Sequence, residues 1–209
     1  MKRLAFILVA VVLLLAPGVK AADMDKLVPS LKAGGYVIVL RHFATDESQK
    51  DVYPFRFDDM TAQRQLSENG KEDARAVGAA IKKLGVPIGE IATSRLHRAV
   101  ETAQLMTGRD GSALDALTDS GAGSASAMAN PQGTNAQAGQ GLRDLAAATP
   151  KTGTNNLAVT HKTNIADAFG KDLSDVREGE SLIYQPAPSG PPVLIARVQG
   201  GEWIAQAGK

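Results

Sequence analysis

The amino-acid sequence predicts an α/β fold, a three-layer α/β/α sandwich with a central, mostly parallel sheet. Apolar, strand-like runs recur at 36–40, 90–93, 156–160, 181–185 and 193–198. Patterns of helical spacing separate the first four of them, and that alternation is the mark of strand–helix–strand units. No internal repeat or second composition divides residues 22–209, so they read as a single domain of ordinary size.

Residues 1–21 stand apart. A basic start at Lys2 and Arg3 precedes an apolar run from Leu4 to Ala16, a Pro-Gly break, and small residues at Val19 and Ala21. This is the layout of a secretory signal peptide cleaved after Ala21, and it predicts a periplasmic or secreted protein. The run is shorter than the ~20 residues that span a bilayer, so no stable membrane anchor is expected after cleavage.

In the domain, the strand at 36–40 ends on Arg41-His42. Residues 47–65 mix charges with aromatics without a period, which predicts a long loop over one end of the sheet. Ser67 is the expected N-cap of a helix whose apolar face is Ala74, Val77, Ile81 and Leu84, closed by Gly85 before Pro87. The strand at 90–93 runs into Ser94 and a helix over 96–106. Residues 119–141 are small and polar, with little apolar area to offset ordering entropy, and are expected as a flexible surface excursion. A helix is expected over 138–148. The strand at 156–160 ends on His161-Lys162 and leads to a helix over 164–169, before the last two strands.

The chain has no cysteine, so an exported protein of this sequence relies on packing alone. Its formal charge of +1 becomes −2 when Lys2, Arg3 and Lys20 are removed. Neither value offers a basic field for nucleic acid or an anionic membrane. Any anion site has to be built locally.

Basic, hydrogen-bonding residues do gather at strand ends. Arg41-His42 follow the first strand, Ser94 to Arg98 the second, and His161-Lys162 the third, so all three histidines lie there. Singly, each reads as a hydrogen-bonded structural residue. In a parallel sheet, however, these ends share one side, where ligands collect. Arg41, His42, Arg98 and His161 then converge on a pocket suited to phosphate, because guanidinium forks match phosphate oxygens. A helix start near Leu96 adds backbone donors. Without cysteine, an imidazole is the best nucleophile in the set, and phosphoryl transfer asks mainly for positioning and charge neutralisation, with no metal or cofactor required.

Leu40-Arg41-His42-Phe43-Ala44-Thr45 resembles the Arg-His-Gly-x-Thr signature of the histidine phosphatase superfamily, in its phosphoglycerate mutase-like branch. "TSRLHRAVETAQ" is similar to the family's Ser-x-x-x-Arg-Ala-x-x-Thr-Ala element, with Ser94, Arg98, Ala99, Thr102 and Ala103 in register. "LSENGKEDARAVGAAIKKLG" resembles its Leu-Ser-x-x-Gly helix, and "LAVTHKTNI" the later strand that ends on a second histidine. The elements come in the family's order, from about Gly35 to Pro186. The resemblance implies an exported phosphomonoesterase acting on a small phosphorylated substrate, an envelope sugar phosphate among the candidates. His42 would take the phosphoryl group, Arg41 and Arg98 would clamp its oxygens, and His161 would donate a further bond. A cationic His161 suits that role and implies an acidic or near-neutral optimum.

The sequence departs from the pattern in places. Phe43 replaces the glycine after the nucleophile, and Arg95 the proline after Ser94. Thr45, Arg64 and Arg95 are candidate substrate contacts, the two arginines reading equally as surface residues. His97 is expected to cap or pack at its helix start. The His-Asp pair of some relatives is absent, which leaves the general acid open; Glu180 and Asp119 are the leading candidates, with Asp115 and Glu101 behind. Phe43 and the missing acid motivate a rival reading, a catalytically weak or inactive phosphoryl-ligand binding protein of the same fold. A purely structural envelope protein is a third.

Overall fold

The computed structural model describes residues 22–118 and 134–209. The expected signal peptide and the greater part of the expected 119–141 excursion lie outside them. A six-stranded sheet forms the middle layer, in the order β3-β2-β4-β1-β5-β6. The strands are β1 (Val37–Arg41), β2 (Ile88–Thr93), β3 (Ser112–Ala113), β4 (Asn155–Thr160), β5 (Ser181–Gln185) and β6 (Val193–Val198). β1, β2, β3 and β4 pair in parallel, whereas β5 is antiparallel to both β1 and β6.

Alternation along β1 divides the core between the two faces, as a two-residue period requires. Ile38 and Leu40 point into one cluster with Val77, Ala99, Ala103 and Trp203. Val37 and Val39 point into the other with Leu142, Ile165 and Leu182. Helices α1 (Met24–Ala33), α2 (Glu68–Lys83), α3 (His97–Thr107) and α6 (Gly200–Ala207) bury residues in the first cluster. Helices α4 (Thr134–Ala147) and α5 (Lys162–Phe169) do so in the second. The chain therefore leaves β1 and β2 toward one face and β4 toward the other. That divergence opens a crevice at the carboxyl ends of the strands.

Helices α1 and α6 and the two-residue β3 were not expected from the sequence. α1 has Pro29 inside it, a residue that argues against helix, and tertiary packing overrides it through buried Leu27, Val28 and Leu31. α4 begins at Thr134, four residues before the expected 138–148 helix, so residues 134–137, read only as part of an irregular excursion, are helical. Among the described residues, no helix is long and apolar enough to cross a membrane.

The entry of α2 fixes the loop that follows β1. Ser67 caps it by accepting a bond from the Gly70 amide at 3.1 Å, and its own amide donates to the Ala44 carbonyl at 3.0 Å. A Cβ on Gly70 would lie 2.0 Å from that carbonyl oxygen, so only glycine lets the helix start this close.

Candidate active site

The register of the sheet places two residue pairs side by side at the carboxyl ends of three strands. Arg41 is level with Thr160, and Val159 with Thr93. The next residues, His42, His161 and Ser94, consequently emerge from three adjacent strand ends, with β4 in the middle. The two rings lie 5.1 Å apart between centroids, tilted by 57°. His161 Nε2 is 2.8 Å from Ser94 Oγ. Both histidines are almost fully buried.

His42 is held in one tautomer. Its Nδ1 lies 2.8 Å from the Phe43 carbonyl oxygen, which can only accept, so Nδ1 carries the proton and donates. Nε2 is left as the lone-pair nitrogen. Phe43, which stands where the family pattern has glycine, turns its ring into the first core cluster. A Cβ on Gly179 would meet that ring at 2.6 Å, and Gly179 has φ +72°, so glycine is required there on both grounds. The Gly179 amide donates to the carbonyls of Arg41 and His42, both at 3.1 Å, and pins the turn. The bulky side chain thus packs beneath the site.

Three arginines surround the rings. Arg41 donates from Nη1 to the Val176 carbonyl at 2.8 Å and from Nη2 to Glu178 Oε1 at 3.2 Å. Thr45 Oγ1 lies 3.4 Å from the same Glu178 oxygen. Arg98, buried in the first turn of α3, donates from Nη1 to Asp51 Oδ1 at 2.9 Å. The third is Arg64: its Nε is buried without a hydrogen bond, and among the described residues it has no carboxylate partner. Its charge acts on both histidines and on Arg41.

That environment sets the charge of the rings. Burial first, then Arg98, pushes His42 down to about 3, against the opposing pull of the Phe43 carbonyl. His161 lies well below the ordinary histidine value for the same leading causes, burial and Arg98. Without an anion both rings are neutral. The cationic His161 expected from the sequence is therefore not the resting state, because the ring is buried and, next in weight, Arg98, Arg41 and Arg64 already bring positive charge to it. His161 Nδ1 is a buried ring nitrogen with no partner.

Glu180, a leading candidate for the general acid, is engaged elsewhere. Its Oε1 accepts from Arg197 Nε at 2.5 Å and its Oε2 from the Arg177 amide at 2.8 Å. Burial pushes its carboxyl up, but these bonds outweigh it and hold the group below the usual range. It lacks the proton that an acid must give. Asp119 lies outside the described residues. Arg95 does not join the histidines: it pairs with Asp115 Oδ1 at 2.9 Å and lies 3.9 Å over the Phe57 ring. Glu101 stands 3.8 Å from His97, whose Nδ1 is 2.8 Å from Gln65 Oε1 and whose amide donates to Gln63 Oε1 at 2.9 Å. His97 thus fastens the 47–65 loop to the start of α3.

Asp51, Glu178 and Gln63 were missed by the sequence reading. Each is an isolated polar residue in an aperiodic segment, and nothing local marks it. Among the described residues, no group of three or more histidine, aspartate or glutamate side chains could hold a metal ion.

A neutral imidazole with a free Nε2 among arginines, at the switch point of a parallel sheet, has the chemistry that phosphoryl transfer asks for. Residues 37–123 match the family model described as histidine phosphatase superfamily (branch 1). Over these residues, less than half of the chain, it is similar to that superfamily. A search of the curated proteins found no match. Among solved structures, the protein histidine phosphatase SixA, in complex with tungstate, is 15% identical with a TM-score of 0.52, covering 79% of this chain and 97% of that one. The phosphoserine phosphatase of Entamoeba histolytica is 17% identical, TM-score 0.53, covering 78% and 96%. A mycobacterial glucosyl-3-phosphoglycerate phosphatase is 15% identical, TM-score 0.54, covering 78% and 97%. At these identities the likeness concerns the fold.

Proposed function

We propose that this chain is an exported phosphomonoesterase that works through a phosphohistidine on His42. The observation that carries this reading is the bond from His42 Nδ1–H to the Phe43 carbonyl, which leaves Nε2 free among three arginines. In the reaction Nε2 attacks phosphorus, the P–N bond forms and the P–O bond to the alcohol breaks, with the electron pair leaving on the ester oxygen. Arg41, Arg98 and Arg64 hold the equatorial oxygens, where charge is spread in the transition state. Water then attacks phosphorus, the P–N bond breaks, and inorganic phosphate leaves. Bringing a phosphate dianion beside His161 raises the tendency of that ring to take a proton, so it becomes a donor to the bound anion through Nδ1.

An activated aryl phosphate tests this. Product release together with an acid-labile phosphohistidine supports it, and turnover that persists in His42→Ala sinks the nucleophile assignment. The engagement of Glu180 with Arg197 favours a second reading, a phosphoryl-ligand binder without turnover. Vanadate binding with no hydrolysis across a panel of phosphate esters would select that reading.

Export rests on the layout of residues 1–21, and the mass of the chain recovered from cells tests it: the mature form should begin at Ala22. A small phosphorylated substrate is in keeping with the named activities of the phosphoserine and glucosyl-3-phosphoglycerate phosphatases that share the fold. An envelope sugar phosphate is the candidate that joins this chemistry to export.

A further inference from the structure

The 47–65 loop carries apolar surface that the chemistry above does not use. Tyr53 is 54% exposed, and Val52 and Met60 of the same loop are 43% and 41% exposed. Tyr53, Phe55 and Phe57 alternate with other residues and form one row of rings. Tyr53 meets Phe55 edge-on at 5.8 Å, Phe55 meets Phe57 at 6.0 Å, and the Arg95 guanidinium covers Phe57 at 3.9 Å. Phe55 and Phe57 remain partly exposed.

The row is tied to the site at both ends. Asp51, two residues before Tyr53, bonds the buried Arg98 at 2.9 Å. Two residues on extended backbone span about 7 Å at most, so Tyr53 starts close to that arginine. At the other end, Arg95 directly follows Ser94, which touches His161. The loop is also fixed in place. Buried Gln63 donates from Nε2 to the Arg56 and Phe57 carbonyls at 2.9 and 3.1 Å, and accepts from the His97 amide at 2.9 Å. A partly exposed aromatic row, hydrogen-bonded in place beside the cluster of histidines and arginines, is a binding surface in waiting.

Resting on the phosphatase reading, we propose that Tyr53, Phe55 and Phe57 form a platform for the leaving group, selecting phosphate esters that carry a ring with an apolar face. Ring faces stack on aromatic side chains and on an Arg-capped ring. Both an aryl group and the apolar face of a pyranose meet that requirement. An acyclic ester leaves the platform uncovered.

Calorimetric binding of two inert ligands, phenylphosphonate and methylphosphonate, tests the platform without turnover. The phenyl compound should bind about tenfold more tightly, the ratio that about 1.4 kcal/mol of ring contact gives. In Tyr53→Ala/Phe55→Ala that advantage should vanish while methylphosphonate affinity stays, which also shows that the variant is folded. Glucose 1-phosphate against glycerol 3-phosphate, measured on His42→Ala to stop turnover, separates the sources. A gain for the hexose assigns the platform to sugars, and a gain for phenyl alone assigns it to aryl groups. Equal affinities in both pairs, or a ring preference that survives the double substitution, overturn the platform. If His42→Ala still hydrolyses esters while the ring preference holds, the nucleophile assignment fails and the platform stands.

Discussion

Asp51→Asn separates the two demands placed on Arg98, which has to be stable when the pocket is empty and ready for an anion. The guanidinium is 2% exposed and its partner carboxylate 16% exposed. Asparagine keeps an oxygen for Arg98 and for the Arg64 amide, which Asp51 also accepts at 2.9 Å, so the substitution removes charge with little change of shape. Removing the charge of one member of a buried pair costs up to about 3–5 kcal/mol. Some solvent reaches Asp51 and an acceptor remains, so the lower end, about 3 kcal/mol, applies. For a chain of this length that lowers Tm by about 6–12 °C in phosphate-free buffer. The same change leaves Arg41, Arg64 and Arg98 with one less carboxylate beside them, so anion affinity rises. Phosphate at 100 times Kd stabilises any binder by about 2.7 kcal/mol, and at a fixed concentration the variant should gain more than the native chain. Scanning calorimetry with and without phosphate reads both effects. An unchanged Tm, or equal phosphate shifts in the two proteins, would refute the role given to Asp51.

Phe43→Ala should cost about 3–5 kcal/mol, as loss of a buried ring does, with vanadate affinity within a few-fold of native because the ring faces the core; a large loss of vanadate binding at low temperature would contradict that. Protonation should destabilise the fold in a defined window. His42 is depressed to about 3 in the folded chain, so the unfolded chain binds the extra proton between about pH 6.5 and 3, and stability falls by about 1.4 kcal/mol per pH unit as pH drops through it. His161, shifted the same way, adds to the slope, and His42→Gln should flatten its own share in a series of urea titrations. Glu180→Gln should lower stability by weakening the bond to Arg197 while kcat changes less than about tenfold, below the usual range for loss of an acid; a hundredfold drop in kcat would return Glu180 to the reaction.

Much of this architecture is legible in the sequence because its causes are local. The five longer strands and helix α2 follow from spacing, and Ser67 and Gly85 mark the ends of that helix. His42, Arg98 and His161 stand where strands end, and parallel neighbours bring such ends together. α1 and α6 escaped for the opposite reason. Pro29 speaks against helix locally, and α6 is anchored by Trp203, whose burial depends on Ser181 and the rest of the first core cluster.

The sequence by itself determined the class of sheet, the order of its strands along the chain, and the set of residues able to meet at one end of it. Covalent neighbours and periodicity are enough for those. Only the tertiary structure decided what each residue does there. It turned Phe43 into the core and made its carbonyl the acceptor that frees His42 Nε2. It gave Glu180 to Arg197, and it brought Asp51 and Glu178 from distant loops to Arg98 and Arg41. Hydrogen bonds and charge pairs between residues 47 to 137 positions apart have no signature in local spacing, because the partners become neighbours only when the sheet and its loops close around the site.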